Sequence, residues 1–180
     1  MVTAYFALPR RSRAVIDYHA WMANLLPFVT WPLVIFCDEQ SLGRIKRLRG
    51  SKPAAYRVTR LQDFRAYRHR DAIHAHVMQR LGRPAGQTIG LDAALVWHEK
   101  ANFVRRAIDE NLYHSEMFFW CDIGLLRRGV FRPSARREWP NMQICREKFA
   151  GRVAFFGRHI APPPPAATAL GHGRILGRRG

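Results

Sequence analysis

The run Leu33-Val34-Ile35-Phe36-Cys37 constrains this chain more than any other stretch, being apolar at every position, preceded by Pro27 and Pro32, and closed by Asp38-Glu39. A strand with one wet face alternates apolar and polar residues. A strand apolar throughout has both faces covered, as in parallel sheets flanked by helices. Upstream, Val2 to Leu8 is a β-prone run that ends at Pro9 and a basic turn. Ser12 then offers a helix N-cap, and Val15, Tyr18, Met22, Leu25 and Leu26 share one face of the helix that follows. Strand, helix and strand make a βαβ unit, and open sheets of this kind bind ligands beyond the carboxyl ends of their strands. Asp38 falls at such an end.

Further along, the pattern predicts a short helix from about Ser41 to Leu48 and a strand over Tyr56 to Thr59. A helix capped by Asp63 then runs to about Leu81. After a Gly/Pro loop, Ala94, Trp97, Ala101, Val104 and Ile108 recur at helical spacing and predict one long helix buried on that stripe and ended by Asn111. Glu116 to Cys121 reads as a second central strand, which delivers Asp122-Ile123-Gly124 at its carboxyl end. Val153 to Phe156 is a last strand candidate. The expected class is α/β, a three-layer α/β/α arrangement around a mostly parallel central sheet, in one domain over residues 1–160.

Residues 161–180 are a Pro/Gly/Arg-rich tail without periodicity, from which no core can be built. GC-only codons yield such residues in any frame. Two readings stand for the tail, a flexible segment or frameshifted sequence.

The chain has 180 residues and a formal charge of +17, with 48% apolar residues, too many for a disordered basic tail. Basicity of this size points to phosphate-bearing partners, whether nucleic acid, an anionic membrane surface or a nucleotide. Its placement narrows the choice. Residues 1–122 hold 18 basic and 11 acidic side chains, against 12 and 2 in residues 123–180, so the excess gathers in the last third. Only four of the 30 basic residues are lysines, so GC-rich coding accounts for part of the arginine. Cys37, Cys121 and Cys145 lack paired spacing and read as reduced, buried thiols. The N-terminus does not resemble a secretory signal, and the apolar run Leu25 to Cys37 is too short to span a bilayer, so a cytoplasmic protein is expected.

Motifs with a defined chemistry are few. His98-Glu99 lacks the second histidine of a zinc-protease motif, because position 102 is Asn. His69, His74 and His76 lie on one predicted helix but do not share a face. No dinucleotide fingerprint, Walker loop or nucleophile elbow occurs. Two readings stand for Asp38, an acceptor for a ribose hydroxyl or base N–H, or a helix-start aspartate. For Lys100 they are a diphosphate contact and a solvated helix lysine, and Arg10, Arg11 and Arg13 form either an anion rim or a solvated turn. Asp122 is either a ligand-edge carboxylate or an ordinary strand-end turn residue.

Trp97-His98-Glu99-Lys100, followed after a helix by Phe119-Trp120-Cys121-Asp122-Ile123-Gly124 and Arg127-Arg128, resembles the HtrL/YibB family, bacterial proteins similar to glycosyltransferases of the GT-A fold. The resemblance extends from Val2-Thr3-Ala4-Tyr5-Phe6 through Pro32 to Glu39, and covers roughly residues 1–156. It implies a Rossmann-like domain that binds a nucleoside-diphosphate sugar through Thr3, Tyr5, Arg10, Asp38, Lys100, Asp122 and Gly124. It also implies hexosyl transfer to a glycan or lipid-linked acceptor in polysaccharide or lipopolysaccharide assembly, with peripheral contact at the inner, anionic membrane face. Asp122 stands where such enzymes carry their D-x-D motif, and a divalent cation, Mg²⁺ or Mn²⁺, held there would neutralise the leaving diphosphate. Gly124 replaces the second carboxylate, so either Asp122 alone holds the metal or nearby Arg and Lys neutralise the phosphates. Family members continue past the point where this chain enters its tail, which implies a truncated acceptor half. Nucleic-acid binding is the rival reading, opposed by dispersed arginines and the lack of a known nucleic-acid-binding signature.

Overall fold

The computed structural model describes residues 1–8, 15–80, 90–127, 140–149 and 151–152. The chain divides into two compact units, Met1–Phe131 and Arg132–Gly180. In the first, β1 (Val2–Tyr5), α1 (Val15–Leu25), β2 (Leu33–Cys37), α2 (Glu39–Arg49) and β3 (Ala54–Val58) alternate. Two short 3₁₀ turns follow, Leu61–Asp63 and Arg65–His69, and then α3 (Arg70–Arg80) and α4 (Leu91–Glu110). The three strands form a parallel sheet in the order β1-β2-β3, with Val2 opposite Val34 and Leu33 opposite Ala54. The α/β expectation holds at this level.

Beside β1, on the edge away from β2, the segment around Trp120 adds one parallel bridge. Val2 donates its N–H to Phe119 O at 2.7 Å, and Cys121 donates to Val2 O at 2.9 Å. The strand expected over Glu116–Cys121 is reduced to that single bridge.

β2 is buried along its whole length, as its composition demands. Period-two alternation divides the sheet's residues between two cores. Val2, Ala4, Val34 and Phe36 join Phe6, Phe64 and the α4 residues Ala94, Leu95, Phe103 and Ala107 in one cluster. Thr3, Tyr5, Leu33, Ile35 and Cys37 face the other way, where the Tyr5 ring meets Tyr18 and His19 of α1 at 6.0 and 6.3 Å. Helices therefore pack against both faces.

At the amino edge, the α1–β2 and α2–β3 connections are tied together by one fully buried side chain, Arg49. Its guanidinium donates to the carbonyls of Leu26, Val29, Trp31 and Pro53 at 2.5–2.9 Å. Burial lowers its pKa from the ordinary arginine value.

Two expectations about helices are corrected. Asp63 does not cap a long helix; its carboxylate pairs with Arg60, and the chain makes two 3₁₀ turns before α3 begins at Arg70. The helix over Leu91–Glu110 forms and ends at Asn111, which adopts the left-handed conformation (φ 31°). Its buried stripe, however, is Ala94, Leu95, Glu99, Phe103 and Ala107. Trp97 and Ile108, assigned to the core by periodicity, are 54% and 44% exposed. In the second unit the described element is α5 (Met142–Phe149), preceded by Asn141, whose side-chain oxygen accepts from Ile144 N. Ser12, the strand expected over 153–156 and the tail 161–180 lie outside the described residues. Among the described residues, no helix is long and apolar enough to cross a membrane.

Candidate functional site at the carboxyl edge of the sheet

The loops leaving β1, β2 and β3 converge on a cavity of about 570 Å³. Phe6, Ala7 and Leu8 line it after β1, Asp38, Glu39 and Gln40 after β2, and Thr59, Arg60 and Leu61 after β3. Asp63 and, from α4, Asp92 complete the wall. In a chain with a large cationic excess, this crevice carries four carboxylates and one guanidinium. Two of the carboxylates are already engaged. Asp63 is paired with Arg60, and Asp38 accepts Ser41 N on Oδ1 at 2.8 Å and Ala7 N on Oδ2 at 2.5 Å. Asp38 thus caps α2 and ties the β1 loop to it, the helix-start role of the two that its sequence position allowed. Glu39, Asp92, Gln40 and Thr59 supply further polar groups above an apolar floor of Phe6, Leu8, Val58 and Leu61.

A second cluster lies beyond the Trp120 bridge. Lys100 Nζ donates to Asp122 Oδ1 at 2.6 Å, Trp120 Nε1 donates to the same oxygen at 2.9 Å, and the ammonium stands 5.4 Å from the centre of the Trp120 ring. Phe103 of α4 stacks on the opposite partners, its ring 6.1 Å from Trp120 and 4.4 Å from Phe36. Helix and strand segment therefore bring together Lys100 and Asp122, which are 22 residues apart. The turn that carries Asp122 is held by α1: Asn24 donates to Leu126 O at 2.9 Å, and the Arg127 guanidinium lies over the Trp21 ring at 4.9 Å.

Gly124 allows this docking. A Cβ there would come within 2.9 Å of Trp21 Cε3, so the residue is a point of close approach in the turn. Thr3 and Tyr5 are buried in the sheet on the α1 side, at 0% and 2% exposure, away from the cavity lining. Arg10, with Arg11 and Arg13, lies outside the described residues.

As a metal site, Asp122 offers little. Its Oδ1 already accepts an ammonium and an indole N–H, and among the described residues no group of three or more His, Cys, Asp or Glu side chains is placed to hold an ion. This arrangement does not fit a divalent cation. The cysteines are free and buried. Burial pushes the Cys37 thiol up to about 11 and the Cys121 thiol up to about 12, with Asp38 and Asp122 respectively adding to the rise. Neither is a nucleophile at neutral pH.

Sequence reasoning missed Glu99. It is buried, accepts the backbone N–H groups of Arg65 and Ala66 at 3.1 and 2.8 Å, and takes a third bond from Asn102 Nδ2. No local pattern signals this role, because its two backbone partners lie more than 30 residues away.

Fold and site together define an α/β unit with a parallel sheet and a polar crevice at the carboxyl edge. Comparison with protein-family models, with characterised proteins and with solved structures finds no match.

Proposed function

We propose that the unit Met1–Phe131 binds a nucleoside-diphosphate sugar and serves a GT-A-like glycosyltransferase that passes the sugar to a cell-surface polysaccharide or lipopolysaccharide acceptor. The observation that carries this reading is the position of the cavity, beyond the carboxyl ends of three parallel strands, where open α/β sheets take their ligands. Its apolar floor suits a nucleobase, and Glu39, Asp92, Gln40 and Thr59 suit ribose hydroxyls. Asp38 acts there as a positioning residue, since both of its oxygens hold backbone amides.

The diphosphate is met by Lys100. In the absence of donor its charge is held by Asp122 and the Trp120 ring. Phosphate oxygens then compete for the ammonium, which neutralises charge that grows as the leaving group departs. The family resemblance in Trp120-Cys121-Asp122-Ile123-Gly124 supports the same assignment. The transferase action on a membrane-associated acceptor rests on that resemblance alone.

Thermal unfolding in the presence of UDP, GDP and their sugars tests the reading. A saturable rise in Tm with one of them, weakened by Lys100→Gln, is the expected result. No rise with any of the four classes of ligand would overturn donor binding by this chain.

A further inference from the structure

A second cavity, of about 420 Å³, shares no lining residue with the first and is lined by Arg65, Ala66, Arg68, His69, Ile73, His98 and Asn102. The second 3₁₀ turn and α4 build it, each by its own periodicity. With three residues per turn, a 3₁₀ helix places Arg65 and Arg68 one above the other. On α4, His98 and Asn102 are four apart and share a face. Glu99, between them in sequence, joins the two elements by accepting the N–H groups of Arg65 and Ala66. Its remaining attraction for a cation is reduced by the third donor, Asn102 Nδ2, at 3.1 Å. No lining residue is acidic.

We propose that this cavity is an anion site that takes a phosphate group, separate from the sugar-nucleotide crevice. Two guanidiniums supply paired planar donors, which match phosphate geometry. Two imidazoles and the Asn102 amide add shorter-range donors to the lining, beside buried Ala66 and Ile73. The same residues do not make a metal cage, since they provide two imidazoles and no thiolate or free carboxylate. The site stands independently of the transferase reading, because it shares no residue with the crevice or with the Lys100–Asp122 cluster.

The probe is inorganic phosphate, titrated into the full chain at constant ionic strength with chloride as the balancing anion, and read by thermal unfolding and ³¹P line broadening. Saturable stabilisation by phosphate over chloride is expected. Arg65→Gln combined with Arg68→Gln is expected to weaken the apparent affinity by about tenfold or more. Both side chains are exposed, and the backbone bonds to Glu99 are untouched. His98→Gln, on the other element, is a second variant expected to weaken phosphate severalfold. Lys100→Gln should leave phosphate affinity unchanged, which separates this site from diphosphate binding at the crevice. Equal effects of phosphate and chloride would overturn the proposal, as would wild-type affinity in the Arg65/Arg68 variant, or loss of phosphate binding in Lys100→Gln.

Discussion

At the scale of single residues, the side chains that matter most to stability and to the site are charged groups buried in unexpected places. Arg49 is enclosed without a carboxylate partner, and four carbonyls accept from its two terminal nitrogens instead. Replacing it by Met leaves those carbonyls in a dry interior. Arg49→Met is therefore expected to destabilise the chain by about 3 kcal/mol or more, measured by urea unfolding. Thiols give the pH dependence. A folded thiol pKa raised to about 11 or 12 means that above the ordinary value of 9.0 the unfolded chain has lost protons which the folded chain keeps. Stability should hold up to about pH 9 and then fall through pH 11–12, seen as a declining Tm. Cys37→Ala combined with Cys121→Ala should flatten that alkaline limb. The sequence showed that these cysteines are apolar neighbours.

At the scale of elements, the strands were more legible than the helix faces. β2 was readable to the residue because a run apolar at every position has one structural solution. On α4 the periodicity was right and the phase was wrong. Glu99 interrupts the true stripe with a charge, while Trp97 and Ile108 offered a more apolar stripe beside it. The buried carboxylate is tolerated because the backbone amides of Arg65 and Ala66 need an acceptor at that point. The two stripes make opposite forecasts. Phe103 packs its ring against Phe6, Phe36, Phe64 and Trp120, so Phe103→Ala should cost about 4 kcal/mol, whereas Ile108→Ala should cost less than about 1 kcal/mol. Chemical denaturation of the two variants decides between them. Gly124 belongs to the same scale. Gly124→Ala meets Trp21 at 2.9 Å and should destabilise by about 1–2 kcal/mol, and Trp21→Leu in the same chain should recover part of the loss.

At the scale of the whole molecule, the formal charge of +17 divides into regions of different character. The carboxyl-edge crevice is lined by four carboxylates, and the cavity on α4 by two arginines and two histidines. Four acids gathered at the carboxyl-edge crevice would repel a polynucleotide backbone there. In a fluorescence anisotropy titration, DNA or RNA affinity that falls steeply as salt is raised would favour the nucleic-acid reading; no such specific affinity is expected. Sequence alone determined the class, since an all-apolar strand following a strand and a helix leaves few arrangements other than a parallel sheet with helices against it. It also placed Asp38 at the carboxyl end of a strand, because that residue closes a β-prone run. Only the tertiary structure decided which residues meet: that Lys100 reaches Asp122, that Asp38 spends both oxygens on backbone amides, and that Arg65, Arg68 and His98 line one cavity. Local pattern fixes backbone geometry because hydrogen bonding and burial act within a few residues. Partners 22 or more residues apart are chosen by how helices and loops dock, and a single sequence carries no local record of that choice.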